Sequence, residues 1–338
     1  MTKLAIVILN WNGRQFLEKF LPILLNHIPD YAEVIIADNN STDDSIVFLE
    51  ENHPGLRLIR NKENGGFSKG YNDALRQVEA TYYCLLNSDI EVPPFWVEPI
   101  IEMMDADPRI AVVQPKILAY HDRTRFEYAG AAGGFMDKLG YPFCRGRLFN
   151  TLEEDKGQYD QPMEIFWATG AAMFVRSNIY RQLGGLDEDF FAHMEEIDFS
   201  WRVKNQGYKV MCQPQSTVYH IGGGTLPKNN AFKTFLNFRN NLFLLLKNLP
   251  KNRIALTFFL RFFMDNLAAV VFALQGNKKD FIAVYKAWFA FLTQYKKIKQ
   301  KRTGGSHYAY KSLYPHSIVF YYHLMHQKYF DGKQLHKH

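Results

Sequence analysis

The chain has 338 residues, 47% of them hydrophobic, enough for a sizeable core in roughly two domains. Its three cysteines, Cys84, Cys144 and Cys212, are far apart and odd in number, which excludes a disulfide framework and a cysteine metal site and points to a reducing compartment. The net charge of +6 conceals a division: residues 226–338 carry 19 Lys/Arg against three Asp, or +16, while residues 1–225 sum to −10. An acidic front and a basic, aromatic back read as separate units with separate partners.

Met1-Thr2-Lys3 leads directly into a strand with no signal-peptide pattern, so a cytoplasmic location is expected. Residues 3–9 form a near-continuous apolar run, the pattern of a strand buried in a parallel sheet. Asn10-Trp11-Asn12-Gly13 is a turn, and 14–27 has the spacing of an amphipathic helix. A second strand at 33–37 ends in Asp38 and a polar loop in which Ser41 or Thr42 can cap a helix. A third at 56–60 leads to Asn64-Gly65-Gly66-Phe67-Ser68-Lys69-Gly70-Tyr71-Asn72, where glycines allow close backbone approach. Lys69 there is read equally as a phosphate contact and as a solvated lysine.

The strand at 82–86 runs into Asn87-Ser88-Asp89-Ile90-Glu91, and Pro93-Pro94 is expected to open the next helix. Asp38 and Asp89 thus end neighbouring strands, where α/β sheets place their ligands. Asp89 offers oxygen to a hard divalent ion, the kind that arrives with phosphate. Short strands are expected at 110–113 and 126–129, then a Gly/Ala-rich loop at 130–134 and an exposed turn at 153–156, with no chemistry assigned. Order returns at Trp167-Ala168-Thr169-Gly170-Ala171, followed by a short helix stopping at Gly184-Gly185. The segment 187–202 gathers acids at a helix start; Asp198 and Arg202, four apart, can pair. His220 follows a strand at 216–219 and precedes a glycine run at 222–224.

These segments resemble, in order and spacing, an inverting nucleotide-sugar glycosyltransferase of family 2 with the GT-A fold. The likeness covers residues 3–225 and is carried by Ile8-Leu9-Asn10-Trp11-Asn12-Gly13, the loop 38–43, Asn64-Gly65-Gly66-Phe67, Asn87-Ser88-Asp89, Thr169-Gly170-Ala171, Gly184-Gly185-Leu186-Asp187, Glu195-Glu196-Ile197-Asp198 and His220-Ile221-Gly222. The nearest subgroup is similar to rhamnosyltransferases of bacterial surface polysaccharide synthesis. The resemblance implies a Rossmann-like mixed sheet flanked by helices, with a nucleotide-binding half at about 1–115 and an acceptor half at about 116–225. It implies that Asp38 contacts the nucleoside, and that Asn10, Asn40, Gly65, Gly66, Asn72, Asn87, Thr169 and Gly170 line the substrate pocket. Asn87 stands where the family has the first acid of its DxD motif. Asp89 is then expected to bind Mg²⁺ or Mn²⁺, and through it the diphosphate, with help from Glu91 and His220. Glu195-Glu196 replaces the family's Glu-Asp pair, giving Glu196 the role of general base and Glu195 a supporting one.

This chemistry is reasonable in itself. A divalent cation neutralises charge developing on the leaving diphosphate, and a carboxylate takes the proton of an otherwise weak hydroxyl nucleophile. The expected partners are a dTDP- or UDP-sugar donor and a saccharide or lipid-linked acceptor. Two alternatives stay open: a sugar-1-phosphate nucleotidyltransferase, and a non-catalytic membrane-bound assembly subunit suggested by Asn87.

Residues 226–338 read as a basic amphipathic helical region, with helices at 232–249, 254–275 and 281–300. The second is nearly long enough to span a bilayer but holds Arg261 and Asp265 near its centre, which favours an interfacial or protein-packed helix. Lys247, Lys251, Arg253, Lys278, Lys279 and the basic run at 296–302 suit an anionic membrane surface, so the enzyme is expected at the inner face of the cytoplasmic membrane. No nucleic-acid motif accompanies the charge, and a homodimer is left open.

Overall fold

The computed structural model describes residues 2–222, 230–302 and 304–330. The first half alternates strand and helix: β1 (Thr2–Asn10), α1 (Arg14–Asn26), β2 (Ala32–Asp38), α2 (Ser45–Asn52), β3 (Arg57–Arg60), α3 (Gly66–Leu75) and β4 (Ala80–Leu86). Helix α1 forms because Leu17, Phe20, Leu21 and Leu24 fall on one stripe, which it buries against the sheet. Strand β1 pairs in parallel with β2 on one side and β4 on the other, so strand order reverses around it. That reversal opens a crevice at the C-terminal strand ends, and the register sets Asn10 directly opposite Asp38.

The second half continues with β5 (Ile90–Glu91), α4 (Glu98–Ala106) and β6 (Ile110–Ala119), then a small antiparallel sheet of β7 (Gly134–Met136), β8 (Pro142–Cys144), β9 (Arg147–Leu148) and β10 (Thr151–Leu152). It closes with β11 (Met163–Glu164), β12 (Ala172–Arg176), α5 (Ser177–Gln182), α6 (Glu195–Asn205) and β13 (Lys209–His220). The main sheet has nine strands in the order β11-β13-β6-β12-β4-β1-β2-β3, with β5 on β13. Strand β12 is antiparallel to both β4 and β6, so the sheet is mixed, as expected. Apolar side chains fill both of its faces.

Among the described residues five helices follow: α7 (Ala231–Asn248), α8 (Lys251–Leu274), α9 (Lys278–Gln300), α10 (His307–Lys311) and α11 (Ile318–His323). Helix α7 is set into the molecule. Leu242, Phe243, Leu244, Leu245 and Leu246 are all buried, sharing a cluster with Trp201 of α6 and Phe291 of α9. Each such side chain stabilises the fold by about 1.5–3 kcal/mol.

Several expectations need correction. Pro93-Pro94 do not open a helix; α4 starts at Glu98, with Pro99 in its first turn. Residues 126–129 are not a strand, since only single bridges tie Arg125 and Phe126 to their neighbours. The turn at 153–156 is anchored by Asp155, which pairs with Lys116 at 2.8 Å. The acidic front and basic back are in part each other's partners. Lys247 meets Asp187 and Asp198, and Lys297 and Lys301 meet Asp189. The boundary drawn at 225/226 and the glycines at 223 and 224 lie outside the described residues.

Candidate active site

Three strand ends and two loops converge on the crevice. At the ends of β1 and β2, Asn10 Nδ2 donates to Asp38 Oδ1 at 3.2 Å and to Ser41 Oγ at 3.1 Å, while Ser41 N donates to Asp38 Oδ2 at 3.0 Å. Both Asn10 and Asp38 are buried, so the carboxylate is held rigidly where the crevice begins. The loop beyond it turns through left-handed backbone at Asn40, φ 62°, which asparagine tolerates, and leaves Asn40 exposed. Asn12 Oδ1 closes that loop by accepting from Thr42 N at 2.7 Å.

The glycine loop is fixed to a distant segment. Gly66 has φ 76°, and a Cβ there would lie 2.5 Å from the carbonyl oxygen of Phe191, so no other residue fits. Gly65 immediately precedes it, where α3 begins. Phe67 N donates to that same Phe191 carbonyl at 2.8 Å. Lys69 is committed to Asp73 and Glu63, the solvated-lysine alternative. Asn72 is also accounted for internally. Its amide donates to Leu186 O and Glu188, and its Oδ1 accepts from Tyr180 and Leu186 N. These bonds tie α3 to the segment 180–188.

Past β4, Asn87 N donates to Ala171 O, joining the Asn87-Ser88-Asp89 turn to the start of β12. Strand β5 pairs Ile90 with His220 on β13, which brings His220 Nε2 to 3.1 Å from Asp89 Oδ1. The other ring nitrogen lies 3.3 Å from Glu127, a residue to which the sequence reading gave no role. Burial works against charge on all three groups, but their mutual hydrogen bonds and charges outweigh it. His220 is raised to about 10, and Asp89 and Glu127 stay below the usual carboxylate range. Glu91 turns instead to Arg123 at 2.8 Å, so the structure does not bring it to Asp89.

A divalent cation fits this donor set. Asp89 oxygen and His220 Nε2 are adjacent; on releasing its Nε2 proton the imidazole would serve with Asp89 as a ligand to Mn²⁺ or Mg²⁺, with Glu127 behind it as the outer carboxylate that orients metal-binding histidines. Among the described residues no group of three or more acids, histidines or cysteines is arranged to hold a metal ion by itself. With two protein ligands, the remaining positions would fall to substrate phosphate oxygens and water.

The other acids stand at the start of α6. The chain reaches it through left-handed backbone at Phe191, His193 and Met194, φ 63°, 69° and 73°, which costs roughly 1–3 kcal/mol per residue. Helix α7 holds that conformation. Asn240 Nδ2 donates to the carbonyls of Phe190, Ala192 and His193 at 2.9, 2.9 and 2.7 Å. Arg239 donates to those of Asp189 and Phe190. Neither residue was singled out in the sequence, although two asparagines amid the leucines of α7 are the available signal.

Glu195 Oε2, Glu196 Oε2 and His193 Nε2 are buried and unpartnered among the described residues. Burial pushes Glu196 up to about 7, and burial together with the Glu196 charge holds Glu195 well above the carboxylate range. His193 is pushed down to about 4 by burial and then by the charge of Lys233, so it stays neutral. A Cβ on Gly170 would lie 2.9 Å from the Phe67 ring and 3.8 Å from Glu196 Cβ, which places the glycine loop, the Thr169-Gly170 turn and Glu196 side by side. Thr169 is pinned by Gln114, which accepts from its N–H at 3.0 Å. Asp198 points elsewhere, closed off by Arg202, Lys247 and Asn248, each at 2.8 Å.

The sequence model of Glycosyl transferase family 2 matches residues 5–183, ending before Glu195. An N-acetylglucosaminyl-diphospho-decaprenol L-rhamnosyltransferase of Mycobacterium tuberculosis (strain CDC 1551 / Oshkosh) is 23% identical over 232 residues, covering 64% of this chain and 75% of that one. Among solved structures, GalNAc-T7 with UDP, GalNAc and Mn²⁺ superposes with a TM-score of 0.58 at 16% identity, covering 73% of this chain and 48% of that chain. S. aureus TarS 1-349 in complex with UDP-GlcNAc does so at 0.56 and 14%, covering 89% and 84%. The chain thus spans about half the length of GalNAc-T7, and these likenesses establish a GT-A fold.

Proposed function

Because the chain belongs to glycosyl transferase family 2, we propose that it moves a sugar from a nucleoside diphosphate to an acceptor hydroxyl in one displacement, inverting the anomeric carbon. The observation that carries this reading is the buried, unpartnered Oε2 of half-buried Glu196, on a side chain whose Cβ lies beside Gly170. A carboxylate whose proton affinity sits near neutrality takes a proton from a hydroxyl far more readily than an exposed glutamate. One base acting without an enzyme nucleophile gives a single displacement, and hence inversion. Glu195, buried beside Glu196, is the supporting acid of the pair.

In the donor half, Asp38 receives the nucleoside, held in place by Asn10 and Ser41. Gly65 and Gly66 let the backbone close on the donor, while Asn40, Asn87, Thr169 and Gly170 form the rim between nucleoside and sugar. Asp89 and His220 would hold a divalent cation, Mg²⁺ or Mn²⁺, with Glu127 orienting the imidazole. Once bound, that cation supplies neutralisation of charge on the departing diphosphate. The donor is a dTDP- or UDP-sugar, and the acceptor is a saccharide or a lipid-linked one, used at the cytoplasmic face of a membrane in surface polysaccharide synthesis. Family membership displaces nucleotidyl transfer as an alternative.

The test is release of nucleoside diphosphate from a panel of nucleotide sugars in the presence of Mn²⁺ or Mg²⁺. Wild type should turn over at least one dTDP- or UDP-sugar, with product configuration opposite to the donor's. Glu196→Gln should bind that donor and fail to turn it over. Equal turnover in the two proteins would overturn the assignment of the base.

A further inference from the structure

Helix α8 is inside out. Its buried positions, Thr257, Arg261, Asp265 and Ala269, recur every four residues along one seam, and this inward seam carries the charges. Arg261 donates to Asp265 at 3.0 Å, Trp288 Nε1 of α9 donates to Asp265 at 3.0 Å, and Tyr141 OH reaches the same carboxylate at 3.3 Å. Asp265 and Arg261 are thereby neutralised inside the protein. The opposite face is purely apolar: Leu256, Phe259, Phe263, Leu267, Val270 and Leu274 follow each other at steps of three and four, with Phe259 61% and Leu274 83% exposed. Helix α9 extends it with Phe289, 71% exposed, and Leu292. A helix in water places its polar side outward. Polar groups turned in and hydrocarbon turned out suits a helix whose outer surroundings are themselves apolar.

Charge identifies those surroundings. Lys251, Arg253, Lys278, Lys279, Lys296 and Lys299 are exposed around the two helices. The acids of the pair are withdrawn, Asp265 into the seam and Asp280 onto Thr234 Oγ1 at 2.7 Å. An apolar face ringed by cations complements hydrocarbon bordered by anionic headgroups. By length and composition α8 could cross a bilayer. Its midpoint forbids that, because Arg261 donates to Leu139 O in the turn joining β7 to β8, which would draw the catalytic body into the hydrocarbon.

We infer that α8 and α9 lie in the plane of a bilayer bearing anionic headgroups, their outer apolar face inserted about 5–10 Å into the boundary between headgroups and acyl chains. This deepens the membrane location in the proposed function, and rests on that reading only for its biological setting. Attachment is then more than attraction of a basic tail to negative charge: the aromatic and aliphatic face is buried in lipid.

Flotation of the full chain with vesicles, without donor, separates these cases. Binding to phosphatidylcholine vesicles containing phosphatidylglycerol should exceed that to phosphatidylcholine alone by roughly tenfold or more. It should persist in part at about 0.5 M salt, where surface attraction is screened. Phe259→Glu combined with Phe263→Glu should weaken vesicle binding by roughly a hundredfold. Both residues are exposed, so circular dichroism and donor turnover with a soluble acceptor should match wild type. Full binding by the double variant, or complete loss of wild-type binding in salt, would overturn insertion. So would a lipid-free dimer that the double variant dissolves in a chain that ignores vesicles, since the face would then belong to a second copy. A chain that inserts but transfers no sugar would defeat the catalytic reading and leave this one standing.

Discussion

Asp89 and Glu127 close on His220 from two sides, whereas Glu195 and Glu196 each leave a buried Oε2 without a partner among the described residues. All four carboxyls are withdrawn from water, yet the first pair stays ionised and the second is driven towards the protonated form. The contrast recurs at close range, because Asp187, Asp189 and Asp198 flank the unpaired glutamates and each receives lysines from α7 or α9. What separates the structural acids, the proposed cation ligand and the proposed base in this molecule is therefore where the fold delivers countercharge. The C-terminal helices supply it generously around the glutamate pair and withhold it from the pair itself.

Breaking the unpaired side should have the largest effect. Glu196→Gln should lower transfer by about 10²–10⁴-fold while calorimetry shows unchanged donor affinity. Wild-type turnover should rise with pH through about 7, as Glu196 gives up its proton, and the residual rate of the variant should lack that rise. On the paired side, Asp89→Ala should weaken Mn²⁺-dependent donor binding by roughly 10–100-fold and leave metal-free binding alone. Wild-type affinity in that variant would mean the cation is held elsewhere.

A gentler perturbation removes the support rather than the charge. Asn240→Ala frees three carbonyls of the strained loop and should cost about 1–3 kcal/mol in chemical denaturation. If Asn240 positions the base, turnover should fall roughly tenfold with donor affinity kept, and the pH midpoint should move down as water reaches Glu196. Lost stability with unchanged turnover and midpoint would reduce Asn240 to scaffolding. The smallest effect is on stability. The folded state holds Glu196 near 7 against 4.5 for an ordinary glutamate, so its contribution is full below about pH 4.5 and declines as pH rises towards 7. Glu196→Gln removes the decline and should be more stable than wild type by about 1–2 kcal/mol at pH 8, with no difference at pH 4. Thermal melts at the two pH values measure it.

The sequence disclosed the parts of this arrangement that are local. Apolar runs marked the strands, the acids at their ends marked Asp38 and Asp89, and the i,i+4 spacing marked the Asp198–Arg202 pair. It was silent where a role is conferred by a distant partner. Glu127 follows a short bridge in an irregular stretch, and only the register of β13 against β5 and β6 brings His220 beside it. Glu91 alternates with Asp89 as a cooperating ligand would, but Arg123 claims it. Asn72 sits in a glycine loop that suggests ligand contact, yet its hydrogen bonds are spent on Leu186 and Tyr180. The lysines of the last third looked like a coat for a membrane, and composition could not reveal that Lys247 turns inward to two aspartates.

That Asn240 fastens the loop before Glu196 has a consequence for how the protein comes into being. On the ribosome, at about 5–20 residues per second, the strands β1, β2 and β4 that frame the donor crevice emerge well before α7. Until α7 arrives, Asp198 lacks two of its three partners and the left-handed turn lacks its clasp, so the nascent chain can hold a nucleotide without a base in place. The proposed base is thus seated by the last third of the polypeptide. A chain ending before residue 231 should therefore be a donor-binding protein rather than a smaller enzyme.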